Sequence, residues 1–434
     1  MNVYSVLKIM LLLASSSSLW ARIQTTATRC CAFSSSCSFA SSGLTSQKII
    51  GCRRSFGSAV SYNRYKITDG NISLRNTYLS ACKSSKCIAT DASEDAVVQL
   101  FTPGVSVRNA LNDAIHTLEK RSVPEPEESA LHLLSHSLNL SWENGHRELR
   151  DILHLPSTSK SMLANQLMSD EQCDTFHSLI ERRIQFEPLQ YIIGQWDFHD
   201  LVGLKVREPM LCPRPETEEL VEFVLGEVGE LIQNRGNSNK RIRVLDVGCG
   251  TGAIGLAIAN RYRDEVQITA LDIVPEAVEL SNDNAKIFLS NNFGLNNEEG
   301  KLRTIYNAIL CSADEFTNTQ GDEAYEMNFD IVVSNPPYIP SKDMTTLSED
   351  VSAYESDKAL CGGEDGLDVV RHIVKRLPEW TSGHCWLEVD SSHPSRIKDW
   401  LAPGASSEVE CISTFKDFCG RDRFVKLRVL SEHS

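Results

Sequence analysis

The segment Val244-Leu245-Asp246-Val247-Gly248-Cys249-Gly250-Thr251-Gly252 limits what this chain can fold into more than any other feature. An apolar run breaks into three alternating glycines, and a helix-forming stretch begins at once near Ala253. Glycine lacks a Cβ, so such a turn bends sharply and lets a ligand approach the backbone closely. Three more apolar runs, Val266 to Leu271, Thr304 to Leu310 and Phe329 to Ser334, read as buried strands. The segments 253–262 and 275–289 between them read as helices. Strands alternating with helices predict an α/β fold, a Rossmann-like doubly wound and mainly parallel sheet.

Nucleotide cofactors sit at the carboxyl ends of such strands. Gly250, Gly252 and Gly255 also fit the dinucleotide spacing, and Asp272 stands about twenty residues on, where a ribose-binding acid belongs. A nicotinamide enzyme therefore competes at this point. Asp246, just ahead of the glycines, favours a cofactor with a cationic end, because a pyrophosphate would be repelled there. The expected cofactor contacts are Asp246, Gly248, Cys249, Gly250, Gly252 and Asp272. The plainer alternatives are a loop cap for Asp246 and a helix cap for Asp272, ahead of Pro275.

The fourth apolar run, Asp330-Ile331-Val332-Val333-Ser334, ends in Asn335-Pro336-Pro337-Tyr338. As the fourth strand it lies beside the first, so its carboxyl end faces the cofactor. An amide nitrogen is a poor nucleophile because its lone pair is delocalised into the carbonyl. Two acceptors on its two hydrogens would hold it in line with a methyl donor and favour charge developing on nitrogen. The Asn335 side-chain oxygen and the Pro336 carbonyl are suited to that role. Pro336 and Pro337 stiffen the turn, and Tyr338 is placed to stack on a planar amide. The bland alternative is a rigid turn with a capping Asn.

With these motifs the chain resembles the HemK/PrmC-type glutamine methyltransferases that modify peptide chain release factors, over roughly Val105 to Val429. Pro213-Arg214-Pro215-Glu216-Thr217-Glu218 matches a signature of that family. So do Arg182-Arg183, Glu187-Pro188 and Tyr191-Ile192-Ile193-Gly194, and so do Ala359-Leu360 with Gly362 to Leu367 and Lys416-Asp417 with Gly420 to Arg423. The resemblance implies a class I S-adenosyl-L-methionine-dependent methyltransferase domain preceded by a small helical bundle that binds the release factor. It implies that Asn335 and Pro336 bind the target amide with Tyr338 packed on it, that Gly248 and Asp272 contact the cofactor, and that Asp314 approaches the adenine amino group. Asn335 lies next to both ligands. One block departs: where the family carries Glu-Ile-Gly and then Gln, this chain reads Glu388-Val389-Asp390-Ser391-Ser392-His393. His393 is expected to be a solvated turn residue.

Charge and composition settle the outline. Net charge is −15, yet Met1 to Thr68 holds eight Lys or Arg and no Asp or Glu. Serine-rich, arginine-bearing and acid-free, this segment reads as an organellar transit peptide, mitochondrial or plastid, with a cytosolic protein bearing a disordered tail as the alternative. The apolar run Ile9 to Ala14 is too short to span a bilayer. The expected organisation is a presequence over 1–91, a helical substrate-binding domain over 95–187, a β-hairpin linker over 188–212 and a catalytic domain over 213–432. An acidic body disfavours a phosphate-backbone footprint. The expected partner is an organellar class I peptide chain release factor, with no stable nucleic acid, no membrane and a monomeric chain. The competing functions are a nucleic-acid adenine methyltransferase using the same tetrapeptide and an organellar scaffold that has lost turnover. The 14 cysteines contain no C-x-x-C pair, which excludes a zinc framework of that spacing.

Overall fold

The computed structural model describes residues 39–40, 51–56, 59–68, 71–77, 104–156, 158–236, 240–289, 295–296, 302–303, 305–320, 323–324, 327–402 and 408–430. Two compact units emerge, Met1–Glu94 and Asp95–Ser434. The described backbone of the first is four antiparallel strands in chain order: β1 (Phe39–Ala40), β2 (Gly51–Phe56), β3 (Ala59–Thr68) and β4 (Asn71–Thr77). The sequence predicts no element there. The rest of the expected presequence lies outside the described residues.

The second unit begins with helices α1 (Val107–Lys120), α2 (Pro126–Ser137), α3 (Trp142–His154) and α4 (Asp170–Ile184). Ser106 caps α1, accepting from the Asn109 backbone N–H, and a reciprocal capping box between Ser169 and Gln172 opens α4. Val107, Ala110, Leu111, Ala114 and Leu118 share one face of α1 and pack with Leu131, Leu134, Phe176 and Ile180. Full burial of each large side chain stabilises by about 1.5–3 kcal/mol.

The paired arginines at the end of α4 fasten the bundle to the linker. Arg183 is buried and donates to Ser129 Oγ at 3.1 Å, the Pro124 carbonyl at 3.2 Å and the Glu187 carbonyl at 2.9 Å. Arg182 pairs with Glu187 and donates to the Ile192 carbonyl at 3.2 Å. The linker differs from expectation at its start. Residues Leu189–Ile193 form a short helix, α5, capped by Gly194 in the left-handed region, and only then comes the hairpin of β5 (Gln195–Phe198) and β6 (Leu201–Lys205). Pro188 opens that turn and Gly194 closes it, which outweighs the strand preference of Tyr191, Ile192 and Ile193.

Helix α6 (Pro215–Asn234) leads into a seven-stranded sheet. Its strands are β7 (Ile242–Val247), β8 (Val266–Asp272), β9 (Tyr306–Leu310), β10 (Phe329–Ser334), β11 (Thr381–Glu388), β12 (Val409–Lys416) and β13 (Asp422–Val429). The order is β9-β8-β7-β10-β11-β13-β12; the first five are parallel, and β13 runs antiparallel to both β11 and β12. The doubly wound parallel sheet is thus present, with an antiparallel edge. Helices α6, α7 (Ala253–Tyr262) and α8 (Pro275–Leu289) cover one face, and α9 (Asp368–Trp380) and α10 (His393–Trp400) cover the other. Strand order reverses between β7 and β10, because β8 and β9 are laid to one side of β7, and β10 and β11 to the other. A crevice opens at the carboxyl ends of strands at such a point. No described helix is long and apolar enough to cross a membrane.

Candidate active site

A cavity of about 300 Å³ lies at that reversal. Its floor is the turn after β7: Val247, Gly248, Cys249, Gly250 and Thr251 line it. Gly248 and Gly250 have φ of 76° and 53°, and a Cβ built on either meets no protein atom within 4 Å. Side chains there would project into the ligand space, so the turn fits a cofactor pressed against its backbone. The neighbouring glycines do something else. A Cβ on Gly252 would come within 2.8 Å of Ser281 Oγ and 2.9 Å of the Tyr306 hydroxyl, and one on Gly255 within 2.9 Å of Ile268. Gly252, an expected cofactor contact, is placed against α8 and β9 and lets α7 sit close to the sheet.

The two acids differ in depth. Asp272 lines the cavity, and its oxygens accept from the Gly250 N–H and the Val274 N–H, each at 2.9 Å. It therefore caps the start of α8 and faces the cavity at once, with lone pairs to spare. Asp246 is fully buried and does not line the cavity. Its Oδ2 accepts from the Gly255 N–H at 3.0 Å, and Oδ1 has no partner among the described residues. Burial, reinforced by the charge of Asp272, pushes its carboxyl up to about 7. The expected cofactor contact thus takes the form of a buried carboxylate behind the loop.

The opposite wall belongs to the tetrapeptide. Ser334 Oγ donates to the Val247 carbonyl at 2.6 Å, fixing the end of β10 to the end of β7. Asn335 and Pro337 line the cavity; Pro336 is buried, and Tyr338 lies behind the wall. Asn335 Nδ2 donates to Thr217 Oγ1 at 2.9 Å, and Thr217 Oγ1 donates to Glu388 Oε2 at 2.7 Å. Arg423 donates to Glu388 Oε1 at 3.1 Å and to the Tyr338 hydroxyl at 2.8 Å, with its guanidinium 4.9 Å from the Tyr338 ring centre. Burial pushes the Tyr338 hydroxyl up to about 12, so it stays a neutral hydroxyl at physiological pH. Burial likewise raises the Glu388 carboxyl, and Arg423 opposes that rise.

Other residues complete the wall. Arg214 lines the cavity and forks onto the buried Glu355 at 2.7 and 2.8 Å. Ile273, half-exposed beside Asp272, and Val369 give the cavity an apolar side. Asp314 also lines it, paired with His372 Nδ1 at 2.9 Å, a partner the sequence does not announce. The expected solvated His393 is instead fully buried, its Nε2 3.1 Å from the Asp365 carbonyl and its ring against Gly366. It packs where α10 begins, beneath the Asp365-Gly366 loop, which in turn lies against the Tyr338 carbonyl. The hairpin reaches this site through Asn284 on α8, which bonds both the N–H and the carbonyl of Lys205 and donates to the Thr251 carbonyl.

Known proteins match on both halves of this arrangement. A family model described as the PrmC N-terminal domain matches residues 109–194, and one described as a methyltransferase domain matches 238–361. The human MTRF1L release factor glutamine methyltransferase is 32% identical over 312 residues, 71% of this chain and 83% of that protein. The release factor glutamine methyltransferase of Thermodesulfovibrio yellowstonii is 34% identical, covering 65% of this chain and 92% of its own length. The chain belongs to the release factor glutamine methyltransferase family. It is a class I S-adenosylmethionine-dependent methyltransferase, and that membership removes the nicotinamide alternative left open by the glycine spacing. The matches to the helical domain and to the methyltransferase domain fall within one compact unit.

Proposed function

We propose that the protein methylates the side-chain amide nitrogen of the glutamine in the Gly-Gly-Gln motif of an organellar class I release factor. The observation that carries this reading is Asn335 on the wall of the cavity floored by the glycine turn, its amide nitrogen already engaged by Thr217. S-adenosyl-L-methionine, when bound, supplies the electrophilic methyl group. Gly248 and Gly250 receive it against their backbone, Cys249 lines the same floor, Asp272 suits its ribose hydroxyls, and Asp246 supplies negative charge behind its cationic end. Asp314 stands on the adenine side.

Asn335 Oδ1 and the Pro336 carbonyl accept the two amide hydrogens of the target. That grip turns the nitrogen lone pair toward the methyl carbon and favours the positive charge that develops on nitrogen. Pro337 holds the turn rigid, and Tyr338 braces it from behind through Arg423. No strong general base is needed, because the methylated nitrogen releases its extra proton to water. The helical domain, fastened to the linker by Arg182 and Arg183, presents the release factor.

Import into an organelle is supported by the acid-free, arginine- and serine-bearing segment Met1 to Thr68. A mitochondrial address is the first expectation and a plastid the alternative; residues 1–91 fused to a fluorescent protein and imaged in cells decide between them. The activity is tested by incubating the purified protein with labelled S-adenosylmethionine and, separately, an organellar release factor, stripped tRNA and DNA. Label confined to the Gly-Gly-Gln peptide is the expected result. Label in nucleic acid would instead establish the adenine methyltransferase reading.

A further inference from the structure

We propose that Thr217 is the positioning residue that decides which end of the Asn335 side chain faces the target. The inference rests on the glutamine-methylation reading and deepens it. A carboxamide is nearly symmetric in shape, and its two ends differ only in that one accepts hydrogen bonds and the other donates them. If Asn335 presented its NH₂ group to the target, donor would face donor and the grip would fail. Something in the protein must choose the oxygen.

The choice is made by a chain of polar groups that runs from the cavity wall into the buried interior. Glu388 is fully buried against Arg423, whose guanidinium can only donate, so the carboxylate is held as an acceptor. The Thr217 hydroxyl, itself buried, therefore spends its single proton on Glu388 Oε2 at 2.7 Å. What remains on Thr217 Oγ1 is lone-pair density, and this accepts from Asn335 Nδ2 at 2.9 Å. With its nitrogen committed, Asn335 turns Oδ1 away from Thr217, toward the cavity that both residues line. Arg423 reaches the other end of the tetrapeptide through the Tyr338 hydroxyl. One buried ion pair thus orients both Asn335 and Tyr338. This gives a shared purpose to three segments far apart in the chain: Pro213 to Glu218, the altered block at Glu388, and Gly420 to Arg423.

The test compares Thr217→Val, which keeps the shape and removes the hydroxyl, with Thr217→Ser, which keeps the hydroxyl. Three readings are taken on the full chain: methylation of a release factor, affinity for S-adenosylhomocysteine, and the NMR signal of the Asn335 side-chain NH₂ in asparagine-labelled protein. Thr217→Val is expected to lower kcat about a hundredfold, the range seen when one preorganised hydrogen-bonding group is lost from a reacting centre. Cofactor affinity should stay within about twofold, while the Asn335 NH₂ signal shifts and its hydrogens exchange faster. Thr217→Ser should restore kcat to within about threefold and return the signal. Unchanged kcat in Thr217→Val, or no recovery in Thr217→Ser, overturns the proposal. If the unsubstituted protein labels no glutamine at all, the methylation reading fails on its own. The NMR comparison then still judges Thr217: an Asn335 signal indifferent to Val or Ser refutes the relay.

Discussion

Replacing Asp246 by Asn should change the dependence of stability on pH in a direction the structure fixes. The carboxyl is fully buried, accepts one backbone N–H, and titrates at about 7 instead of its ordinary 3.8. Because the folded value is raised, this group's stabilising contribution is complete below pH 3.8 and is lost as pH rises toward 7. Each pH unit in that window costs about 1.4 kcal/mol, so the ionised side chain at pH 8 costs about 4 kcal/mol relative to the protonated one. Asn carries no charge to ionise. Its oxygen can keep the Gly255 bond, while its NH₂ group gains no partner, a penalty of about 1–3 kcal/mol. The net gain at pH 8 is then about 2 kcal/mol. Thermal melts from pH 5 to pH 8 should show Tm falling less steeply in Asp246→Asn than in the parent, since Glu128, also pushed up to about 7, titrates in both. The variant should be ahead by a few degrees at the alkaline end. Calorimetric titration at pH 8 should show S-adenosylmethionine binding weakened at least tenfold, because the negative charge behind the glycine turn that favours its cationic end is gone. Parallel melting profiles would refute the buried titration, and unchanged affinity would refute the role in cofactor binding.

Other perturbations separate the parts of the site. Asn335→Ala should keep cofactor affinity within about twofold and lose about 100- to 1,000-fold in kcat, read by equilibrium binding and single-turnover methylation. Gly248→Ala should fold with a loss of only about 1–2 kcal/mol for its left-handed backbone yet abolish cofactor binding, because the new methyl enters the cavity; tight binding by this variant would contradict the placement of the turn. Gly252→Ala should instead lower Tm markedly, since its Cβ displaces Ser281 and Tyr306. Arg214→Ala strands the buried Glu355 and should destabilise by about 3–5 kcal/mol in denaturant titration, with Glu355→Gln added in the same chain recovering most of the loss.

How far each element is legible in the sequence depends on how it is buried. Parallel strands covered on both faces appear as continuous apolar runs, so β7, β8 and β10 and the helices 253–262 and 275–289 can be read almost to the residue. The antiparallel edge cannot. Strands β12 and β13 carry charged residues such as Glu410, Lys416 and Arg428 on an exposed face, which blurs the pattern. Helix α5 reads as strand because five residues give too little periodicity to outweigh Tyr191, Ile192 and Ile193. At the site, glycines and prolines announce the turns, yet they do not tell Gly248 and Gly250, which open into the cavity, from Gly252, which packs inward. Thr217 and Arg214 sit inside the Pro213 to Glu218 signature, but their partners Glu388 and Glu355 come from far along the chain, as does the pairing of His372 with Asp314, so nothing local marks the contacts they make. His393 misleads for the same reason: its polar neighbours Asp390 and Ser392 suggest solvent, while Gly366 brings a distant loop down on its ring.

The most direct measurement is a crystal structure of the protein with S-adenosylhomocysteine and a peptide bearing the target glutamine. The glutamine nitrogen should lie opposite the sulfur, with hydrogen bonds to Asn335 Oδ1 and the Pro336 carbonyl. A peptide whose amide sits elsewhere, or a tetrapeptide turned away from the sulfur, would contradict the account.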